Sequence, residues 1–293
     1  MVNVMTDLFN NREIATGIWL VIVAIFAGRS KAVRESMADL SKMFTNPKIA
    51  VPILLMVAYV GLEVVFLKRL SFWDTSLLKD TLYWFILSGF ALLMNIIGEK
   101  EPGKFFKETV LQCVGITVAL EFLLNLYTLP LLGEFFLLPV LFLIAAASVM
   151  AENDPKYAPV GKLSSGIQSV LGVLLFVYVG WSLYVNHAEL TSRTTLDSFL
   201  LPILLTLLFL PFLYFTKLVA VYELFFVRLQ IFIREDNKLR AYVRRKALLQ
   251  CHFDLFKLAR FQKIALASNW ELNDRRGVDR LVERFKSGQT NVS

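Results

Sequence analysis

The chain has 293 residues, 56% hydrophobic and 19% charged, with a mean hydropathy of +0.58 and a net charge of +7. Soluble domains carry about a quarter charged residues; here long runs of Leu, Val, Ile and Phe between residues 14 and 222 exclude a water-soluble fold of this size. The basic excess lies wholly in residues 223–293, which hold 15 of the 31 Lys and Arg but 8 of the 24 acids. That segment follows the last apolar run directly, so anionic lipid headgroups account for it better than nucleic acid.

The N-terminal segment has no basic stretch ahead of a cleavable apolar core, so the first run, Ile14–Gly28, reads as retained. Its 15 residues fall short of the roughly 17–25 that cross a bilayer unless Asn11–Glu13 extend it. Were it to lie in the interface, the N-terminus would sit inside and six spans would remain. In residues 29–48, Val33, Met37, Leu40 and Phe44 recur at helical spacing among Arg29, Lys31, Arg34 and Lys42. That pattern predicts a helix lying on a leaflet, its cations on headgroups, with a packing surface for the C-terminal segment as the competing use.

Six further runs follow: Ile49–Leu67, Thr81–Gly98, Thr109–Tyr127, Leu129–Met150, Ile167–Asn186 and Ser198–Tyr222. Continuous apolarity predicts helices, since barrel strands would alternate. The fourth and fifth runs overall nearly merge, and Pro130 marks a tight hairpin with the proline in the first turn of its second helix. Counting Lys and Arg, residues 29–48, 99–108, 151–166 and 223–293 hold 25, and the segments on the other side hold five. The N-terminus is therefore expected outside and the C-terminus in the cytoplasm, with a bacterial inner membrane as the expected home.

The C-terminal segment reads as helical, with an N-cap at Glu235–Asn237 and a long helix to about Ser268 carrying Leu249, Phe253 and Phe256 on one stripe. Asn269 or the Asn273–Asp274 pair ends or restarts it before a helix over Val278–Lys286. Arg240, Arg244, Arg245 and Lys246 are its headgroup-binding candidates. The expected architecture is all-α: a transmembrane bundle over residues 1–222, with six spans plus a short N-terminal one, and a basic helical cytoplasmic tail over 223–293.

Ionisable groups within spans are costly and so point to function, and there are four: Glu63, Glu121, Glu134 and Lys217. At about 1.5 Å per residue from the cytoplasmic end, the three carboxylates lie at about 21, 18 and 24 Å. Converging, they would bind a cation or relay a proton. Cys113, Thr117, Glu121 and Asn125 recur every fourth residue, a polar stripe that lines a hydrated path or faces another helix. For the others there is a structural reading: Glu63 leaning toward Lys68, Glu134 at a helix N-terminus, and Lys217 snorkelling.

No complete catalytic, nucleotide or metal motif is present, and no cofactor is expected. Cys113 and Cys251 lie too far apart in the topology to form a disulfide. A lipid-acting intramembrane enzyme would cluster His, Asp or Ser at one face, which this chain does not. Two classes therefore remain: a membrane anchor or signalling component working through its tail and residues 29–48 on a protein partner or a second copy, and a cation or proton channel or transporter subunit acting at Glu121.

Overall fold

The computed structural model describes residues 9–99, 101–113, 115–186, 192–233, 236–267 and 274–287. Every regular element among them is helical. In chain order these are α1 (Asn11–Gly28), α2 (Lys31–Thr45), α3 (Pro47–Arg69), α4 (Thr75–Gly98), α5 (Pro102–Cys113), α6 (Ile116–Leu126), α7 (Leu131–Asn153), α8 (Ala158–Val185), α9 (Arg193–Phe232), α10 (Asn237–Cys251), α11 (Leu255–Ala267) and α12 (Arg275–Ser287).

Six of these helices are long and apolar enough to cross a membrane: α1, α3, α4, α7, α8 and α9. The chain is thus a helical membrane protein. The first run gains the length it lacked because α1 begins three residues earlier, at a capping box. The Asn10 side chain accepts from the Glu13 amide at 2.8 Å, and Glu13 accepts from the Asn10 amide at 2.8 Å. Its 18 residues span about 27 Å.

The interrupted run is instead Thr109–Tyr127. It is divided between α5 and α6, which are bent by 45°, and Gly115 starts the second in an extended conformation. The pair makes a seventh crossing only if both halves act as one broken span. Pro130 caps α7 at its N-terminal end, one residue before the helix proper.

Two other features shape the spans. α3 ends in a Schellman turn: Ser71 adopts φ 57°, its amide donates to the Lys68 carbonyl, and the Phe72 amide donates to Leu67. α4 is not regular, because residues Trp84–Gly89 form a π-helical turn. A Cβ on Gly89 would lie 2.9 Å from Met56 Cε and 3.3 Å from the Trp84 ring, so the glycine lets α3 approach that turn.

The chain divides into two compact units: Met1–Leu55, Leu67–Asp80 and Glu108–Leu204 in one, Met56–Phe66, Thr81–Lys107 and Leu205–Ser293 in the other. In the first unit α1 and α8 both pack on α7. The turn between α7 and α8 is close enough that a Cβ on Gly161 would lie 2.8 Å from Ala151 Cβ. α2 has no buried residue: Val33, Met37, Leu40, Met43 and Phe44 are all exposed.

In the second unit the C-terminal residues are a folded body. α9 runs on to Phe232, and its Leu218, Tyr222, Phe225 and Leu229 share one core with residues of α10, α11 and α12. The long helix expected from 237 to about 268 is broken. His252 takes φ 47° and ends α10, and Asp254 restarts the chain by accepting from the Lys257 amide at 2.9 Å. The buried stripe is Leu239, Val243, Ala247 and Cys251 on α10, continued by Leu255, Leu258 and Phe261 on α11. Leu249, Phe253 and Phe256, expected to pack together on one helix, are exposed instead.

Candidate functional site

The four ionisable residues of the spans separate into different environments. Glu134 sits in the first turn of α7 with its side chain fully buried, and it is paired. Arg12 of α1 grips it through two bonds, Nη2 to Oε1 at 3.0 Å and Nε to Oε2 at 3.1 Å, and the Leu129 amide donates to Oε1 at 3.0 Å. Around this pair, the carbonyls freed at the end of α6 are taken up by side chains. Arg12 donates to Leu124 O, Asn10 to Asn125 O, Asn11 to Leu129 O and Tyr178 to Thr128 O. Such carbonyls are expensive to leave bare at membrane depth. Glu134 is therefore the anchor of a structural clamp on the α6–α7 turn. The clamp was legible only in part: Asn10 and Glu13 carry a capping signal, but nothing in the sequence joins Arg12 to residue 134.

Glu121 and Asn125 are exposed on α6, and Cys113 is half-buried at the end of α5. The stripe that was to join them is interrupted by the bend between the two helices. The side chain of Thr117 lies outside the described residues. Asn125 is drawn into the clamp, its Oδ1 accepting from Arg12 at 3.2 Å. The structure thus brings Asn125 and Glu134 together through Arg12. Glu63 belongs to the other compact unit.

Glu63 differs from the rest. It is 6% exposed on α3, and both carboxylate oxygens are buried with no hydrogen-bond partner among the described residues. One turn away, Tyr59 donates its hydroxyl to Leu208 O on α9 at 3.0 Å, and its ring packs on Phe212 at 5.1 Å. In the same unit the Trp84 indole, at the start of the π-helical turn, donates to Thr206 Oγ1 at 2.8 Å. π-Helical turns recur at functional positions because they displace a side chain from the regular helical register. The sequence singled out Glu63 but missed Tyr59, Trp84 and Thr206. Polar atoms of this kind amid apolar runs were the available signal. Among the described residues no group of three His, Cys, Asp or Glu is placed to hold a metal ion.

Lys217 does not snorkel. It is 7% exposed, and its Nζ donates to the carbonyls of Ile97, at 3.1 Å, and Glu99, capping the end of α4.

The basic candidates divide similarly. Around α2, Arg34 caps α1 through the carbonyls of Gly28 and Arg29, Lys31 pairs with Glu35 at 3.8 Å, and Arg29 stacks on Phe26. Of the four candidates on α10, only Arg245 is exposed. Lys246 pairs with Asp279 at 2.8 Å, and that bond raises the ammonium's pKa and lowers the carboxyl's. Arg244 lies over the Phe226 ring with its Nε buried and without a hydrogen-bond partner among the described residues, and it lines a shallow pocket with Arg240, Gln230 and Asn237.

No protein-family model, known protein or solved structure matches this chain, so any functional reading rests on these residues themselves.

Proposed function

We propose that the protein is a multi-pass membrane component, C-terminus in the cytoplasm, that acts as an assembly or signalling partner through its folded C-terminal helices and α2. One observation carries this reading: α9 passes without a break from its apolar stretch into the core of the C-terminal body. A displacement of that helix in the membrane is thereby transmitted to the helices around it, as a tail on a loose linker could not achieve. The outward face of α12 offers Arg276, Arg280 and Lys286 for an acidic protein surface.

Its test is a photo-crosslinking residue at position 280 in the full chain, expressed in its native membrane. A discrete protein adduct that disappears in the Arg276→Glu variant supports the reading; adducts to lipid alone overturn it.

Glu63 supports a second reading, cation or proton translocation. A carboxylate in the membrane interior with no donor needs a proton or cation as counter-charge. Glu121, exposed on α6 in the other compact unit, has no such enclosed site. Purified protein in liposomes would then carry a proton or monovalent-cation flux that Glu63→Gln abolishes and Glu121→Gln leaves intact. Absence of flux in the parent removes this reading.

A further inference from the structure

The turn between α10 and α11 leaves large apolar side chains uncovered: Leu248 is 49% exposed, Leu249 51%, Phe253 70% and Phe256 67%. In water such a cluster on a folded helical body would be a liability. Its position explains it. The turn is fastened to the membrane-spanning part of α9 by hydrogen bonds: Tyr222 donates its hydroxyl to His252 O at 2.9 Å, and Tyr214 donates to Phe253 O at 2.6 Å. The Leu255 amide donates back to the Tyr214 hydroxyl at 3.3 Å. The Phe253 ring meets that of Phe215, itself an exposed residue of the span, edge to face at 6.0 Å. Phe256 lies against Gly103, where a Cβ would approach its ring to 3.0 Å.

Lys217 fixes the level. Its ammonium caps α4 beside Gly98, where the apolar run of that helix gives way to Glu99–Lys100–Glu101. Tyr214 and Phe215 lie two to three residues deeper along α9, about 3–5 Å toward the membrane centre. The turn tied to them is therefore at or below the headgroup level.

The outward faces of both helices change in the same sense. On α10, Lys238 and Arg245 are followed by Leu248 and Leu249 toward the turn; on α11, Phe256 at the turn is followed by Lys257 and Lys263 away from it. Apolar tip and basic shoulder are the pattern of a segment seated in an anionic leaflet.

We infer that the α10–α11 turn is inserted into the leaflet on the C-terminal side of the membrane, Leu248, Leu249, Phe253 and Phe256 among the acyl chains and Arg245, Lys257 and Lys263 at the headgroups. The occupant of this apolar patch is lipid, because the patch continues the exposed apolar surface of α9 at Phe215. Insertion needs only the spans and holds whether or not a protein partner exists.

The test uses the full chain with Cys113 and Cys251 replaced by alanine, folding being checked by circular dichroism. A nitroxide is placed in turn at Leu249→Cys, Phe253→Cys and Phe256→Cys, in vesicles of phosphatidylethanolamine and phosphatidylglycerol. Phe215→Cys serves as the membrane reference and Arg276→Cys as the aqueous one. Labels at the turn should collide with oxygen in preference to a water-soluble nickel chelate, with a ratio matching position 215 and several-fold above position 276. A ratio like that of position 276 overturns the insertion. Low accessibility to both reagents also overturns it, because it means that protein, a second copy or a partner, covers the patch. Leu249→Cys leaves the Phe215 and Gly103 contacts intact, so the test stands even where the phenylalanine variants misfold.

Discussion

At the scale of single residues, burial and pairing separate groups that look alike in the sequence. Glu134 and Glu63 are both carboxylates within apolar runs, but among the described residues one has three donors and the other none. The Arg12–Glu134 pair is expected to stabilise the fold: Glu134→Ala leaves the partly exposed guanidinium and the Leu129 amide without their acceptor, at a cost of about 3 kcal/mol. Its denaturation midpoint in detergent should fall, and Arg12→Met combined with Glu134→Leu should lose less than the two single changes together, which a double-mutant cycle measures.

Cys251 sets a pH dependence. Burial pushes its thiol up to about 12 from an ordinary 9.0. The unfolded chain gives up this proton near 9 while the folded body holds it to about 12, so the contribution is fully present below 9 and lost as pH rises through that window. The loss is on the order of 1 kcal/mol per pH unit. Between about pH 8 and 10.5 the unfolding midpoint should drop more steeply in the parent than in Cys251→Ala. Equal slopes would show that the thiol is not the group responsible.

At the scale of elements, apolar length and the break at Pro130 were legible, and the interruptions at Gly115 and His252 were not. Runs of about 20 apolar residues have few alternatives to a helix in lipid, so α3, α4, α7, α8 and α9 were all anticipated. α1 came out too short because its first turn is polar, Asn-Arg-Glu, and only the cap at Asn10 makes that turn helical. The break at His252 was hidden because histidine carries no turn signal. Its positive φ is held by the body around it, with the carbonyl on Tyr222 and the amide on Leu248. Leu249, Phe253 and Phe256 kept a helical spacing across that break, so periodicity alone joined them into a stripe that does not exist.

Helix contacts at this scale depend on small residues. Gly161 faces Ala151 with no room for a Cβ, and neither side chain has a flexible end to yield. Gly161→Val should pry α8 from α7 and cost about 1–3 kcal/mol. Its denaturation midpoint in detergent should fall below that of the parent, and Gly161→Ala should lower it less.

At the scale of the whole molecule, the contacts of the first compact unit join segments that the charge count expects on one side. Arg12, Lys79, the α6–α7 turn, Asn186 and Arg193 all come from segments assigned to one side. They meet one another in the pairs Lys79–Glu13, Arg12–Glu134, Tyr127–Asn186 and Arg193–Ser71. If α5 and α6 act as one broken span, the chain crosses seven times and its ends are expected on opposite sides. A membrane-impermeant thiol reagent applied to intact cells should label Asn10→Cys and not Ser287→Cys. Labelling of neither would mean six crossings with both ends inside.

The sequence by itself determined the solvent of this protein, the helical class and most of the spans. Each of these follows from composition over 20-residue windows, where the cost of bare backbone in lipid leaves one solution. Only the tertiary structure decided that Glu134 is paired and Glu63 is not, that Lys217 caps a helix, and that the C-terminal helices fold back on α9. Those outcomes depend on which side chain of a distant helix reaches a given carboxylate or carbonyl, and sequence spacing holds no record of that distance.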